Sequence, residues 1–233
     1  MDTYQQLKGK TIAITGSSKG IGKETAELLK ELEVNLVLGS RQNKEDLTNN
    51  VLTLPLDVTN EASVSAFYEK SIKHFGTVDV LINSAGVGVF ESIIDSSTAD
   101  FDEMLSVNLR GTYLTCKYFG KHMAEQRKGH ILNLVSVAGT TALSGCGGYS
   151  ASKFGVLGLT KVLQTELRQK GVQVTSVIPG SVSSSFWEKI ESKPDLSKMI
   201  PTNTIAKHLV SIIGQPQGAF VDEITIMPPL GIL

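Results

Sequence analysis

Disulfides, metal clusters, membrane spans and runs of one charge are all missing from this sequence, and each absence narrows what the chain can be. It has two cysteines, Cys116 and Cys146, far apart and in no Cys-x-x-Cys pair. That pattern points to two reduced thiols, not a disulfide framework or a zinc site. Its four histidines, His74, His122, His130 and His208, have no ligand spacing, so no metal site is expected. Lys and Arg total 22 against 23 Asp and Glu, a formal net charge of −1, with no block of either sign. A basic nucleic-acid footprint is therefore absent. No apolar run approaches the roughly 18 residues of a membrane helix. The first residues, Met1 to Gln6, do not show a basic segment followed by an apolar run, so no signal peptide is expected. These absences leave a soluble, cytoplasmic protein with neither nucleic acid nor membrane as partner.

What the chain does hold is alternation. Its 233 residues, 41% hydrophobic and 19% charged, suit one domain spanning residues 1–233 with a core of useful size. Short β-branched runs predict strands at Thr11–Thr15, Asn35–Gly39, Val51–Leu56, Val78–Asn83, His130–Ser136, Val172–Ile178 and Glu223–Met227. Most are nearly continuous apolar runs, the signature of strands buried on both faces of a parallel sheet. Helical patterns lie between them. Val64, Phe67, Ile72 and Phe75 fall largely on one face of a helix over Glu61–Phe75. Ser97 and Asp100 have the form of a capping box, predicting a helix from about residue 98. A long helix is expected to follow Tyr149 and end near Gly171, and another to run from about Thr204 to Ile213. Strand–helix alternation of this kind gives right-handed crossovers and a doubly wound α/β sheet.

The first strand runs straight into Thr15-Gly16-Ser17-Ser18-Lys19-Gly20-Ile21-Gly22, and a helical pattern follows. Glycines there let the backbone turn tightly and approach a pyrophosphate, while the helix N-terminus offers free N–H groups and a positive dipole end. The strand–loop–helix context makes this a dinucleotide site. The end of the second strand, Leu38-Gly39-Ser40-Arg41, carries no carboxylate to bind a ribose 2′-hydroxyl or repel a 2′-phosphate. Arg41 can grip that phosphate with its planar fork and Lys19 can approach it, which points to NADP(H).

Tyr149-Ser150-Ala151-Ser152-Lys153 places a phenol and an ammonium at i and i+4, on one helical face. Carbonyl reduction needs a hydride on carbon and a proton on oxygen, and a free tyrosine, with a pKa of about 10, needs tuning to supply that proton. An ammonium about 5 Å away at an effective dielectric near 20 stabilises phenolate by roughly 3 kcal/mol. That predicts a phenol lowered by about two pK units.

Taken as a set, these residues resemble the short-chain dehydrogenase/reductase family, and the resemblance spans nearly the whole chain. It implies an α/β fold of the Rossmann type, a doubly wound three-layer sandwich with a seven-stranded, mainly parallel sheet. It implies a catalytic set of Asn108, Ser136, Tyr149 and Lys153. Ser136 would hydrogen-bond the substrate oxygen, and Asn108 would hold a water connected to Lys153. The cofactor set it implies begins with Gly16, Ser18, Lys19, Gly20, Ile21 and Gly22 in the first loop, with Ser40 and Arg41 after the second strand. Asp57 and Val58 match the family's adenine-contacting pair. Asn83, Ala85 and Gly86 match its Asn-Asn-Ala-Gly turn, with Ser84 replacing the second Asn. Tyr149 and Lys153 join them, as do Pro179, Gly180 and Val182, with Ser184 falling where a Thr commonly meets the carboxamide.

The sequence departs from the family in two places. Only about fifteen residues separate Arg41 from Asp57, so the crossover there must be abbreviated. The end of the chain, Asp222 to Leu233, lacks the usual Gly-Gly, which leaves homodimer and homotetramer both open. Residues 181–201, polar and holding Phe186 and the only tryptophan, Trp187, are expected to form a lid over the substrate. The substrate pocket is expected from Val87–Ile93, Val137–Gly147 and that lid. Three functions fit. The first is an NADPH-dependent reductase of a small ketone or aldehyde. The second is a 3-oxoacyl-thioester reductase served by an acyl carrier protein, which needs a basic docking surface. The third is a non-catalytic NADP sensor, which has no need of all four catalytic residues.

Overall fold

A computed structural model describes residues 5–187, 195–216 and 218–232 of the chain. In chain order the elements are β1 (Thr11–Thr15), α1 (Gly20–Lys30), β2 (Asn35–Ser40), β3 (Asp46–Thr48), β4 (Val51–Pro55), α2 (Glu61–Phe75) and β5 (Val80–Asn83). Then come α3 (Thr98–Met104), a π-helical turn (Leu105–Arg110), α4 (Gly111–Gln126), β6 (Gly129–Leu134), α5 (Gly147–Arg168) and β7 (Val172–Pro179). The chain continues with β8 (Val182–Ser183), β9 (Ile200–Pro201), α6 (Thr202–Ile213) and β10 (Glu223–Ile226).

The main sheet runs β10-β7-β6-β5-β1-β2-β4-β3. Every pairing in it is parallel except β3 against β4. Alternation along the strands explains the three layers. Ile12, Ile14, Leu36, Leu38, Val80 and Ile82 face α1 and α6, where Ala26, Leu29, Leu209, Val210 and Ile213 meet them. Their neighbours Ala13, Val37 and Leu81 face the other way, onto Val64 and Phe67 of α2 and Leu114, Phe119 and Met123 of α4. Both faces of each central strand are thus buried, as continuous apolar runs require. Among the described residues, no helix is long and apolar enough to cross a membrane.

All seven expected strands form. An eighth is added in the short crossover after Arg41, where β3 folds back on β4 through Asn49 and Asn50, with Asn49 in the left-handed region at φ 54°. Asn tolerates that conformation better than most residues. The strand was illegible because its three residues, Asp46, Leu47 and Thr48, are all exposed and carry no burial pattern. A second addition is the π-helical turn between α3 and α4.

Strand order reverses between β1 and β5, because β2 and β4 extend one way and β6 and β7 the other. A crevice opens at the carboxyl ends of the strands at such a switch point, and the loops after β1, β2, β5, β6 and β7 all end there.

Candidate active site

The first loop is held against the fifth strand's loop at backbone distance. Gly16 lies at φ +68°, and a Cβ on it would meet the Cα and N of Ala85 at 2.7 Å. Only glycine avoids both the left-handed strain and that collision. Thr15 Oγ1 ties the two loops together by accepting hydrogen bonds from the Ser84 and Ala85 N–H groups, each at 3.2 Å. Beyond it α1 begins at Gly20, and Lys19 caps it with extended backbone and no side-chain hydrogen bond. The first N–H groups of α1 therefore have no side-chain acceptor, as an anion site at a helix start requires. Ser184 stands above this loop, its Cβ 3.9 Å from the Cβ position of Gly20.

At the end of β2, Ser40 donates to Asn43 Oδ1 at 2.7 Å, and Asn43 Nδ2 donates to the Leu38 carbonyl at 2.8 Å. This brace, which the sequence did not disclose, shapes the turn that carries Arg41. Arg41 and Lys19 are exposed. Neither makes a side-chain hydrogen bond or ion pair among the described residues, so both are available to a phosphate. Asp57 is spent locally, accepting from the Thr59 N–H at 2.9 Å and the Thr59 hydroxyl at 2.7 Å, and Val58 is buried under Gly111.

Asn83 ends β5. Its amide turns into the interior, donating to Asn133 Oδ1 at 2.8 Å and accepting from Thr115 Oγ1 at 2.7 Å, while Asn133 reaches Thr160 at 2.9 Å. Gly86, two residues beyond Ser84, lies close to the catalytic set. A Cβ there would sit 3.3 Å from Asn108 Oδ1 and 3.8 Å from Lys153 Nζ.

Tyr149 lies in the first turn of α5 and Lys153 one turn on, as their spacing predicts. The Lys153 ammonium is buried, donates to the Leu134 carbonyl at 2.8 Å and lies 5.7 Å from the centre of the Tyr149 ring. Ser136 leaves β6 and accepts from the Ala138 N–H at 3.1 Å, and its hydroxyl is close enough to the phenol to lower its pKa. Asn108 sits in the π-helical turn with its amide fully used. It exchanges two hydrogen bonds with the backbone of Val87, at 2.8 and 2.9 Å, and donates to Ser152 at 2.9 Å. Asn108 thus locks the fifth strand's loop to α5, beside Lys153. The structure brings Asn108, Ser136, Tyr149 and Lys153 together.

The electrostatics differ from the sequence expectation. Burial pushes the Tyr149 phenol up to about 12, the Ser136 hydrogen bond pulls it down, and Cys146 adds a smaller upward push. Burial also drives Lys153 down to about 8. The expected lowering by the ammonium is reversed, because removing phenolate from water outweighs a cation that is itself desolvated.

Three aromatic rings cluster on the phenol side. Phe90, absent from the expected catalytic and cofactor sets, lies 5.4 Å from Tyr149. Phe186 lies 5.6 Å from Tyr149, and Trp187 stacks on Phe90 at 5.4 Å with an interplanar angle of 15°. The aromatic end of the expected lid thus packs over the reacting centre. Residues 188–194 of that segment lie outside the described residues. Its flanks are joined where β8 pairs with β9. Pro179 and Gly180 end β7, with Gly180 packed against Pro228 and Met227, and Val182 holds the Trp187 indole through its carbonyl at 2.8 Å.

A glycine cradle at the switch point of a doubly wound sheet defines a dinucleotide-binding α/β protein, and the buried phenol–ammonium pair beside it equips that protein for proton transfer. The chain belongs to the short chain dehydrogenase family, whose profile matches residues 10–195, and it is an oxidoreductase. An uncharacterised oxidoreductase of Staphylococcus aureus (strain USA300) is 34% identical, the match covering 95% of this chain and 98% of the relative. Among solved structures, the crystal structure titled ribose-5-phosphate isomerase from Brucella melitensis 16M superposes with a TM-score of 0.86 at 29% identity, covering 95% of this chain and 93% of its own. ElxO with NADP bound gives 0.84 at 29%, covering 94% and 97%. An alcohol dehydrogenase from the archaeon Thermococcus sibiricus, complexed with 5-hydroxy-NADP, gives 0.84 at 27%, covering 94% and 96%. An isomerase beside an alcohol dehydrogenase among neighbours of one fold shows why chemistry must be argued from the site and not from the fold.

Proposed function

We propose that this protein reduces a ketone or aldehyde carbonyl with NADPH, using Tyr149 as the general acid. One observation carries the reading: Asn108, Ser136, Tyr149 and Lys153, drawn from three separate segments, converge beside the cradle of Gly16 and Gly22. NADP(H) is the cofactor, held by the N–H groups from Ser18 to Gly22, by Arg41 and Lys19 on the 2′-phosphate, and by the loops at Gly86, Pro179–Gly180 and Val182–Ser184. The ElxO and Thermococcus sibiricus neighbours, bound to NADP and 5-hydroxy-NADP, support that choice. When bound, NADPH supplies the hydride.

The chain's own residues supply the rest. The Ser136 hydroxyl holds the substrate oxygen and steadies charge developing on it. The raised pKa of Tyr149 keeps the proton on Oη at neutral pH, the state that reduction requires. Lys153, one helical turn away, faces the phenolate left when that proton moves to the substrate oxygen. Asn108 fixes the loop carrying Gly86 against α5, so that cradle and acid keep their spacing. The whole chain works as one unit with a small-molecule carbonyl or alcohol as partner, in the cytoplasm. A second copy of the chain covers the apolar face of Leu105, Leu109, Tyr113 and Leu159, which surrounds a depression of about 400 Å³.

A panel of carbonyl compounds, read by loss of NADPH absorbance, tests the reading. At least one ketone or aldehyde should consume NADPH, and Tyr149→Phe should lower that rate about 10²–10⁴-fold, the usual contribution of a general acid. NADPH binding with no consumption across the panel would make the protein a sensor instead.

A further inference from the structure

Resting on the carbonyl-reductase reading above, we propose that the site selects uncharged ketones or aldehydes bearing an aromatic or bulky apolar group and turns away anionic substrates, including thioesters on acidic carriers. Three loops shape the opening over Tyr149. From the loop after β5, Phe90 approaches the Tyr149 ring to 5.4 Å. From the segment after β7, Phe186 lies 5.6 Å from Tyr149 and packs on Gly88, where a Cβ would sit 2.4 Å from its ring. Trp187 completes the group, stacked on Phe90 and pinned by its indole N–H to the Val182 carbonyl at 2.8 Å. A substrate group entering beside the phenol therefore replaces ring-on-ring contacts, and a flat or bulky apolar group replaces them best.

Just outside, Ile93 and Ile94 are 75% and 91% exposed. Ile93 abuts the start of α5, where a Cβ on Gly147 would meet it at 2.2 Å. Two isoleucines facing water beside a reacting centre form an apolar lip for an incoming ligand.

The segments after β5 and β6 bring charge of one sign only. Residues 80–109 contain Glu91, Asp95, Asp100, Asp102 and Glu103 and no Lys or Arg, and residues 129–152 contain no Asp, Glu, Lys or Arg at all. Glu91 is bridged to Cys146, three residues before Tyr149, and Asp95 directly follows the two isoleucines. On the third loop, residues 181–187 are uncharged, and residues 188–194 carry two carboxylates and two lysines. Lys198 is paired with Asp195. Among the described residues of these loops, an anionic substrate therefore meets carboxylates and no unpaired cation, whereas a neutral apolar one meets rings and isoleucines.

The test compares 4-methylacetophenone, 4-acetylbenzoate and butanone with NADPH and the intact protein. These present a neutral aromatic, an anionic aromatic and a small neutral ketone. The expected kcat/KM for 4-methylacetophenone exceeds each of the others by about tenfold or more, equivalent to at least about 1.4 kcal/mol. Phe90→Ala and Trp187→Ala should shrink its advantage over butanone, and the double change Glu91→Gln with Asp95→Asn should narrow its advantage over 4-acetylbenzoate. If 4-acetylbenzoate or butanone is used as well or better, by a reaction that Tyr149→Phe abolishes, the selectivity is overturned while the reductase reading stands. If no ketone consumes NADPH, the reductase reading fails. Calorimetric titration of the NADP⁺-mixed protein with the two aromatic ketones then decides the selectivity: tighter 4-methylacetophenone supports it, and equal or reversed binding rejects it.

Discussion

The two ends of the sheet are built on opposite principles. At the amino ends of the strands, polar groups are buried and paired. Asp79 accepts from the Thr11 N–H at 3.0 Å and from Lys128 at 2.6 Å. His130 Nε2 lies 2.8 Å from Thr175 Oγ1, and that hydroxyl spends its proton on the Val221 carbonyl at 2.6 Å. His130 must therefore carry its hydrogen on Nε2 and be neutral or donating there. At the carboxyl ends, α1 starts without a side-chain cap, Arg41 and Lys19 stand without partners among the described residues, and Lys153 is buried on a single carbonyl. One end spends its polar groups on stability. The other keeps them for a ligand.

Breaking each end should produce a different loss. The largest is at the carboxyl end: Tyr149→Phe should lower turnover by the 10²–10⁴-fold given above, while the urea midpoint barely moves, because the ring and its apolar contacts stay. A shifted midpoint would show that the phenol is structural. At the amino end, burial and the nearby Lys10 drive His130 down to about 3. The unfolded chain then binds a proton between about pH 6.5 and 3 that the folded chain does not, so stability falls as pH drops through that window, by up to roughly 5 kcal/mol. In His130→Gln this part of the acid loss should vanish, measured as the difference in urea unfolding free energy between pH 6.5 and 4; an unchanged loss would assign it to carboxylates.

Lys153 should act in the opposite range. Its folded pKa of about 8 lies below its unfolded 10.5. The unfolded chain holds the extra proton between those values, so the penalty for burying the ammonium is full below pH 8 and is relieved as pH rises to 10.5. The gain is at most about 3 kcal/mol. Lys153→Met should flatten that rise in cofactor-free protein, and an equal rise in the variant would exclude the lysine as its source. Smallest is the exposed end of the cofactor site. Arg41→Ala should weaken NADPH by roughly 1.5–3 kcal/mol and leave NADH unaffected, as read by calorimetry. Equal losses for both would take Arg41 off the 2′-phosphate.

How much of this was legible in the sequence depended on whether a residue's role is local. The Gly16–Gly22 loop could be read because strand, turn and helix start are contiguous, and the Tyr149–Lys153 pair because i and i+4 share a helix face. Glu61–Phe75 formed as its apolar spacing indicated. Phe90 lay within the expected pocket segment Val87–Ile93, but its packing on Tyr149 and Trp187 stayed hidden because an aromatic in a loop has no periodicity to betray its partners. The inward turn of Asn83 could not be foreseen, since its partners Thr115 and Asn133 lie 32 and 50 residues away. The strand at Asp46–Thr48 escaped because an exposed edge strand buries nothing.

The sequence by itself determined the doubly wound sheet, the phosphate cradle and the phenol–ammonium spacing, because patterns of burial and helix geometry are written in neighbouring residues. Tertiary structure alone decided the sign of the phenol's pKa shift and the cluster of Phe90, Phe186 and Trp187 over it. Both depend on which distant loops exclude water from Tyr149, and desolvation is set by everything around a group and not by its neighbours in the chain.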